Sequence, residues 1–245
     1  MQLTVNDIVR IFEVPEQTVN RWIDKKNMPC VRANEQYRFN YIELLDWALQ
    51  NNIRLTPEVL AMGDQENHNS SVLYQAIKDG DIHYDIPGDT REEVLKTIVD
   101  VLPLPPKLNK TSFFQMLIAR EKMMPTAIGN GIAIPHVRNP VVLHVDHPSI
   151  SLCFLKKPVD FKALDGKPVF IVFTILSPSI KKHLGILSRL AFCLQNAKLQ
   201  KYLHLKASRE QILAEIRVLE SPIRLPYGEE ISPVPDENGG ETSGS

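Results

Sequence analysis

A chain of 245 residues is longer than one modest core usually organises and too short for three full domains, so two domains are the starting expectation. The 28 Lys and Arg stand against 29 Asp and Glu, so no global field advertises nucleic acid or membrane, and a charge-driven partner must be sought locally. Cys30, Cys153 and Cys193 are odd in number, far apart and in no Cys-x-x-Cys pair, which argues against a disulfide framework or a zinc ribbon and fits a reducing cytoplasm.

The N-terminus "MQLTVNDIVR" has no cationic stretch followed by a long apolar run, so no export signal is expected. The longest apolar run, "VFIVFTIL", is far below spanning length, and no membrane span is expected. Thr4 and Asp7 make a capping pair for a short helix whose Ile8, Ile11 and Phe12 share one face. Pro15 reads as the first residue of a second helix buried through Val19, Trp22 and Ile23. Short β-like pieces follow in "NMPCVRANEQYRF", and "YIELLDWAL" (41–49) reads as a third, apolar-striped helix. Residues 1–55 thus form one unit of helix, tight turn, helix, hairpin and helix.

The polar, Asn-rich stretch "MGDQENHNSS" places a linker at 56–70, since such a composition buries too little apolar area to fix itself. A second domain is expected over 71–222. It opens with helices at 89–102 and 110–123, continues through the strand-like runs "GIAIP", "SISLCFL" and "VFIVFTIL", and closes with helices near 180–196 and 208–219. The fold class is α/β, a mixed β-sheet sandwiched by helices, with a small N-terminal winged helix-turn-helix domain. From 223 to 245 the chain is rich in Pro, Gly, Ser and acids and reads as a disordered tail.

Outside the apolar stripe of the second helix lie Gln17, Thr18, Asn20, Arg21 and Lys25, carrying the amide, hydroxyl and cationic groups that read base edges and hold phosphates. Residues 21–38 hold five basic and two acidic side chains, whereas residues 1–54 balance at seven each, so positive charge is concentrated on the second helix and the hairpin. This region resembles excisionase and MerR-like winged helix-turn-helix domains. The resemblance implies DNA as a partner, with those five residues in recognition and Arg32 and Arg38 of the wing on phosphates.

The stretch "GNGIAIPH" ends a glycine-containing apolar strand in His136. Such a histidine can be a core residue, a metal ligand, a general base or a nucleophile. The nearest further metal ligands, His144, Asp146 and His147, lie in a proline-flanked turn and read more simply as surface residues, so no metal and no cofactor is expected. No Gly-x-Ser-x-Gly elbow supports a hydrolase. Gly129 and Gly131 permit positive φ and close approach, and Pro135 fixes the backbone before His136. An imidazole held this way, with one nitrogen kept protonated, offers the other as a nucleophile, and phosphoryl transfer asks for little more than in-line position and donors for the oxygens, a role expected of the backbone at Gly129, Gly131 and Pro135 through amides freed by the glycine-containing turn.

"LIAREKMMPTAIGNGIAIPHVRNP", followed by "FLKKPVDFKALDGKPVFIVFTILSPSIKKHLGILSRLAF", is similar to the fructose/mannitol-type enzyme IIA domains of the sugar phosphotransferase system, which include a nitrogen-regulatory branch. The resemblance implies that His136 accepts a phosphoryl group on Nε2 from an HPr-like carrier, with Arg120 and His183 around the imidazole. Val137 and Ala127 depart from the family's usual small residue and glycine, and whether the β-branched Val137 narrows the donor's access is left open by the sequence. One chain then joins a phosphoryl input to a DNA-facing output. The alternatives are a carrier that hands phosphate to a separate IIB component and a IIA-like domain that only binds partners. No oligomeric state follows from the sequence.

Overall fold

The computed structural model describes residues 2–51, 53–56, 72–137 and 139–220. The expected linker, apart from Thr56, and the expected tail lie outside the described residues.

The N-terminal module begins with β1 (Gln2–Leu3) and α1 (Val5–Phe12). Thr4 and Asp7 form a reciprocal capping box at the start of α1. The next helix, α2 (Glu16–Lys26), starts one residue later than the sequence suggests, because Pro15 is extended (φ −62°, ψ 150°) and serves as the N-cap. Strands β2 (Val31–Ala33) and β3 (Gln36–Asn40) form the wing hairpin, turning through Asn34 and Glu35, both at positive φ as a tight two-residue hairpin turn demands. With β1 they make a small antiparallel sheet in the order β1-β3-β2. Asn40 caps α3 (Tyr41–Gln50) by accepting from Ile42 N–H and Glu43 N–H.

The second domain contains α4 (Val72–Gly80), β4 (Ile82–Ile86), α5 (Arg91–Val101), α6 (Lys110–Met123), β5 (Ala127–Gly129) and β6 (Ile132–Ala133). A 3-10 turn at Pro140–Leu143 leads to β7 (Ser149–Val159) and β8 (Val169–Leu176). Helices α7 (Ile180–Cys193), α8 (Ala197–His204) and α9 (Arg209–Glu220) complete it. The sheet order is β4-β7-β8-β6-β5, with β4/β7 and β6/β8 parallel and β7/β8 and β5/β6 antiparallel. A mixed sheet between helical layers is therefore what forms.

The central strand β8 is apolar except for Thr174 because both its faces are buried. One face packs on α5 and α6 through Val94, Leu95, Ile98, Phe113 and Leu117. The other packs on α4, α7, α8 and α9 through residues such as Ile77, Leu187, Leu203 and Ile212. Several elements differ from the sequence reading, among them helix α4, which the sequence reading did not place. The helix expected to reach 196 stops at Cys193, because Asn196 accepts hydrogen bonds from Lys198 N–H and Leu199 N–H and starts a separate α8. Strand β4, "IHYDI", is short, edge-placed and half polar, and its pattern gave no strand signal.

The N-terminal module shares the second of these cores. Leu3, Ile8, Val19, Trp22, Phe39 and Leu44 belong to the same continuous apolar cluster as Ile132, Ile175, Leu187 and Leu190. Helix α3 makes the join, packing against β5 and α7. Tyr41 Oη and Ser188 Oγ are hydrogen-bonded at 3.2 Å, and Gln50 Nε2 donates to the Pro125 carbonyl at 2.6 Å. This explains why nearly every residue of α3, not one stripe, is buried.

Candidate functional site

His136 follows β6 and continues its run, pairing with Ile175 of β8 in a single parallel bridge. Its Nδ1 lies 2.8 Å from the Ile134 carbonyl oxygen. A carbonyl can only accept, so Nδ1 carries the proton and Nε2 is left with its lone pair. That nitrogen is buried without a hydrogen-bond partner among the described residues. The whole residue is 0% exposed. Burial first, and then the positive charge of Arg120, pull the His136 pKa down from 6.5 to about 4, which keeps the imidazole neutral at physiological pH.

Arg120 sits in the last turn of α6. One guanidinium nitrogen donates to the Met124 carbonyl at 2.7 Å, capping the helix it belongs to, and the other donates to Asp46 Oδ2 in a charged hydrogen bond. His183 lies in the first turn of α7, whose N-cap is Ser179. Its ring centroid is 5.1 Å from that of His136, at 45°. Both its nitrogens are buried without hydrogen-bond partners among the described residues. Burial, then His136 and Arg120, push its pKa well below 6.5. The three residues expected to act together thus converge on one buried point, which holds an unpartnered lone pair on His136 Nε2 and, on the neutral His183 ring, one unpartnered N–H that an anion's oxygen would satisfy.

A fourth group was not foreseen. Asp46, on α3 of the N-terminal module, reaches this point with Oδ2 3.6 Å from His136 Nε2 while it pairs with Arg120. Burial raises its pKa from 3.8 to about 6 and Arg120 opposes the rise, so at pH 7 it is an anion paired to Arg120 rather than to the neutral His136. In sequence Asp46 is one acid inside "YIELLDWAL". The available signal was that Leu44, Leu45, Trp47, Ala48 and Leu49 flank it in sequence, an apolar run wider than one stripe of a helix.

The glycines do not belong to this point. Gly129 (φ 88°) and Gly131 (φ 73°) flank the β5–β6 turn. A Cβ on Gly131 would meet the Phe170 ring at 2.1 Å, and one on Gly129 would meet the Asp165 carboxylate at 3.2 Å. Asp165 also accepts the Asn130 N–H at 2.9 Å. His136 lies five positions along the chain from Gly131, roughly 16 Å at the rise of extended chain, so these glycines shape a hairpin at a distance from the imidazole. Pro135 does adjoin the site, its carbonyl accepting from Ile175 N–H at 3.4 Å. Val137 does not narrow the approach to the imidazole. Its side chain is 2% exposed and packs in the opposite core, with α5 and α6.

The basic face of α2 points away from this junction. Gln17, Asn20, Arg21 and Lys25 are exposed and Thr18 is half-buried, and in the wing Arg32 is exposed and Arg38 half-buried. Beneath them Trp22 packs on Trp47 at 5.4 Å between ring centroids, and Trp47 Nε1 donates to the Lys26 carbonyl at 2.8 Å. Neighbouring residues of α3 therefore reach both ways, Trp47 to α2 and Asp46 to His136. Among the described residues no group of three His, Cys, Asp or Glu could hold a metal, and no helix is long and apolar enough to cross a membrane.

Comparison with known proteins agrees with this geometry. Residues 3–52 match a family described as a helix-turn-helix domain. A nitrogen regulatory protein from Pseudomonas aeruginosa is 33% identical over 151 residues, 59% of this chain and 96% of that protein. The fructose-specific EIIABC component of Bacillus subtilis is 34% identical over 138 residues, 55% of this chain but only 21% of that much longer protein. Among solved structures, the nitrogen regulatory protein IIA-Ntr from Neisseria meningitidis superposes with a TM-score of 0.50 at 28% identity, over 60% of this chain and 97% of that one. Residues 75–218, more than half of the chain, match the family described as phosphoenolpyruvate-dependent sugar phosphotransferase system, EIIA 2, and the chain belongs to that family.

Proposed function

We propose that His136 accepts a phosphoryl group on Nε2 from a phosphorylated HPr-like carrier, and that the chain couples this event to DNA binding by its N-terminal module. The observation that carries the reading is the bond from Nδ1 to the Ile134 carbonyl, which fixes the tautomer whose Nε2 lone pair is free to attack. In the transfer, Nε2 attacks phosphorus in line. The new N–P bond forms as the donor's own N–P bond breaks, and the donor imidazole departs with that electron pair. Because His136 is neutral, no proton has to leave before attack.

Arg120 supplies the fixed positive charge for the phosphoryl oxygens, and it is held in place by its bond to the Met124 carbonyl. His183, whose ring nitrogens have no other hydrogen-bond partner among the described residues, supplies a donor on the far side. The solvent-facing set Gln17, Asn20, Arg21 and Lys25 on α2, with Arg32 on the wing, supports a DNA-facing output. The group can then pass to a separate IIB component or act in place as a signal.

The test is incubation with phosphoenolpyruvate, enzyme I and HPr, followed by intact-mass measurement of the wild-type chain and His136→Ala. A phosphoryl adduct on the wild type alone is expected. No adduct on the wild type, or an equal one on His136→Ala, refutes the assignment.

A further inference from the structure

The phosphoacceptor is closed. His136 has no exposed surface, and Asp46 of α3, in the N-terminal module, lies against its Nε2. A donor carrier that must bring a phosphorus atom to Nε2 has no path to it while α3 is seated.

The position of Asp46 adds a chemical reason to the steric one. Its Oδ2 lies 3.6 Å from Nε2, already van der Waals contact, so no phosphoryl group fits between the two. The same oxygen takes the Arg120 guanidinium, the charge that a phosphoryl group on His136 would need. A phosphohistidine brings roughly −1.5 to −2 of charge and three acceptor oxygens to that spot. Placed against the Asp46 carboxylate in a water-poor site, it would meet like-charge repulsion and compete for one cation.

We infer that Asp46 is a built-in stand-in for the phosphoryl group: α3 seats its carboxylate on Arg120 beside His136 Nε2 when the histidine is free, and phosphorylation of His136 and docking of the N-terminal module exclude each other. This rests on the reading of His136 as phosphoacceptor. The partner recognised by the phosphoryl face is thus a helix of the same chain, in competition with the donor carrier. Because α2 is fixed to α3 through Trp22, Trp47 and the Lys26 carbonyl, release of α3 moves the DNA-facing helix bodily. The recognition face is already exposed in the closed form, so phosphorylation acts on where the module sits and not by uncovering that face.

The experiment uses the full chain and three readouts. These are the rate of phosphoryl uptake from phospho-HPr, hydrogen exchange of the α3 amides, and the rate of His136 carbethoxylation by diethyl pyrocarbonate, read by mass spectrometry. Asp46→Ala leaves Arg120 buried without its carboxylate, and both modification rates are expected to rise about tenfold or more. Gln50→Ala removes only the bond to the Pro125 carbonyl, leaves the ion pair intact, and is expected to raise both by a smaller factor of about three to ten. Phosphorylated wild type is expected to lose α3 protection that the unphosphorylated chain and His136→Ala retain.

Equal uptake rates in wild type and both variants, with α3 protection unchanged by phosphorylation, overturn the inference and leave the phosphoacceptor assignment standing. No uptake by any form, with faster carbethoxylation in Asp46→Ala, overturns the phosphoacceptor assignment and with it the exclusion, leaving only a helix that covers a histidine.

Discussion

Replacing Arg120 by Met tests the electrostatics of the junction most directly. The substitution keeps most of the side-chain volume but leaves Asp46 Oδ2 buried, 3.6 Å from the lone pair of His136 Nε2, with no cation beside it. Breaking one side of a buried ion pair typically costs about 3–5 kcal/mol, roughly 150- to 5,000-fold in an equilibrium constant. The chain has a cheaper response than global unfolding, because α3 can leave and carry the carboxylate into water. The loss is therefore expected first as opening of the module, visible as a separate early transition in denaturant melts and as lost exchange protection over 41–50. The pH dependence carries the sign. A carboxylate raised by burial penalises the closed state when ionised, so the Arg120→Met defect is largest at pH 8 and shrinks as the pH falls and Asp46 takes up a proton that it can donate to Nε2. Arg120→Met/Asp46→Leu removes both charges and is expected to regain most of the loss, since a buried pair replaced by apolar groups is often nearly neutral. A single-mutant effect under about 1 kcal/mol, or a double mutant no better closed than Arg120→Met, would show that the pair does not hold the modules together.

The His136 imidazole, lowered to about 4, is expected not to titrate between pH 5 and 8 in the NMR spectrum of the unphosphorylated chain, and a midpoint near 6.5 would refute its burial under α3. A histidine with a lowered pKa favours closure above 6.5 and loses that contribution as pH falls towards 4, while Asp46 changes in the opposite direction below about 6. Closure of wild type should thus be nearly flat from pH 6 to 5, and closure of Asp46→Asn should weaken by up to about tenfold per pH unit, measured by α3 exchange. Gly131→Ala drives a Cβ into the Phe170 ring at a positive φ, and is expected to lower stability by about 1–3 kcal/mol in denaturant melts. Phosphoryl uptake per folded molecule should stay unchanged, and its loss would bring the glycine back to the phosphoryl pocket. Arg21→Glu is expected to abolish low-salt gel retardation of genomic fragments without slowing phosphoryl uptake, and retardation equal to wild type would remove α2 from the DNA interface.

How much of this was legible depends on whether a feature's physics is local. The capping box at Thr4, the helix at 110–123 and the twice-buried strand 169–176 each declare themselves within a few residues, and each was readable. His136, Arg120 and His183 lie on three elements and were brought together only by a family resemblance, since no spacing along the chain predicts their convergence. Glycine was misleading because a positive φ is a local property and a pocket is not. Gly129 and Gly131 were rightly read as turn residues, but the turn they make faces Asp165 and Phe170, at the other end of the strand from the imidazole.

Asp46 was missed for a further reason. Each domain resembles a different family, and read separately they assign α3 a structural role and bring nothing from the first domain to the imidazole. The over-apolar character of α3 makes sense only if the helix has two partners: α2 through Trp47 on one side, and β5 and α7 on the other. An acid in the middle of such a helix has to find a buried cation, and the cation it finds is the one the phosphoryl group would need. Among the contacts that join the two halves of the chain, one therefore lies at the nitrogen proposed to take the phosphoryl group, and on that proposal an event on a single nitrogen would govern where an entire domain sits.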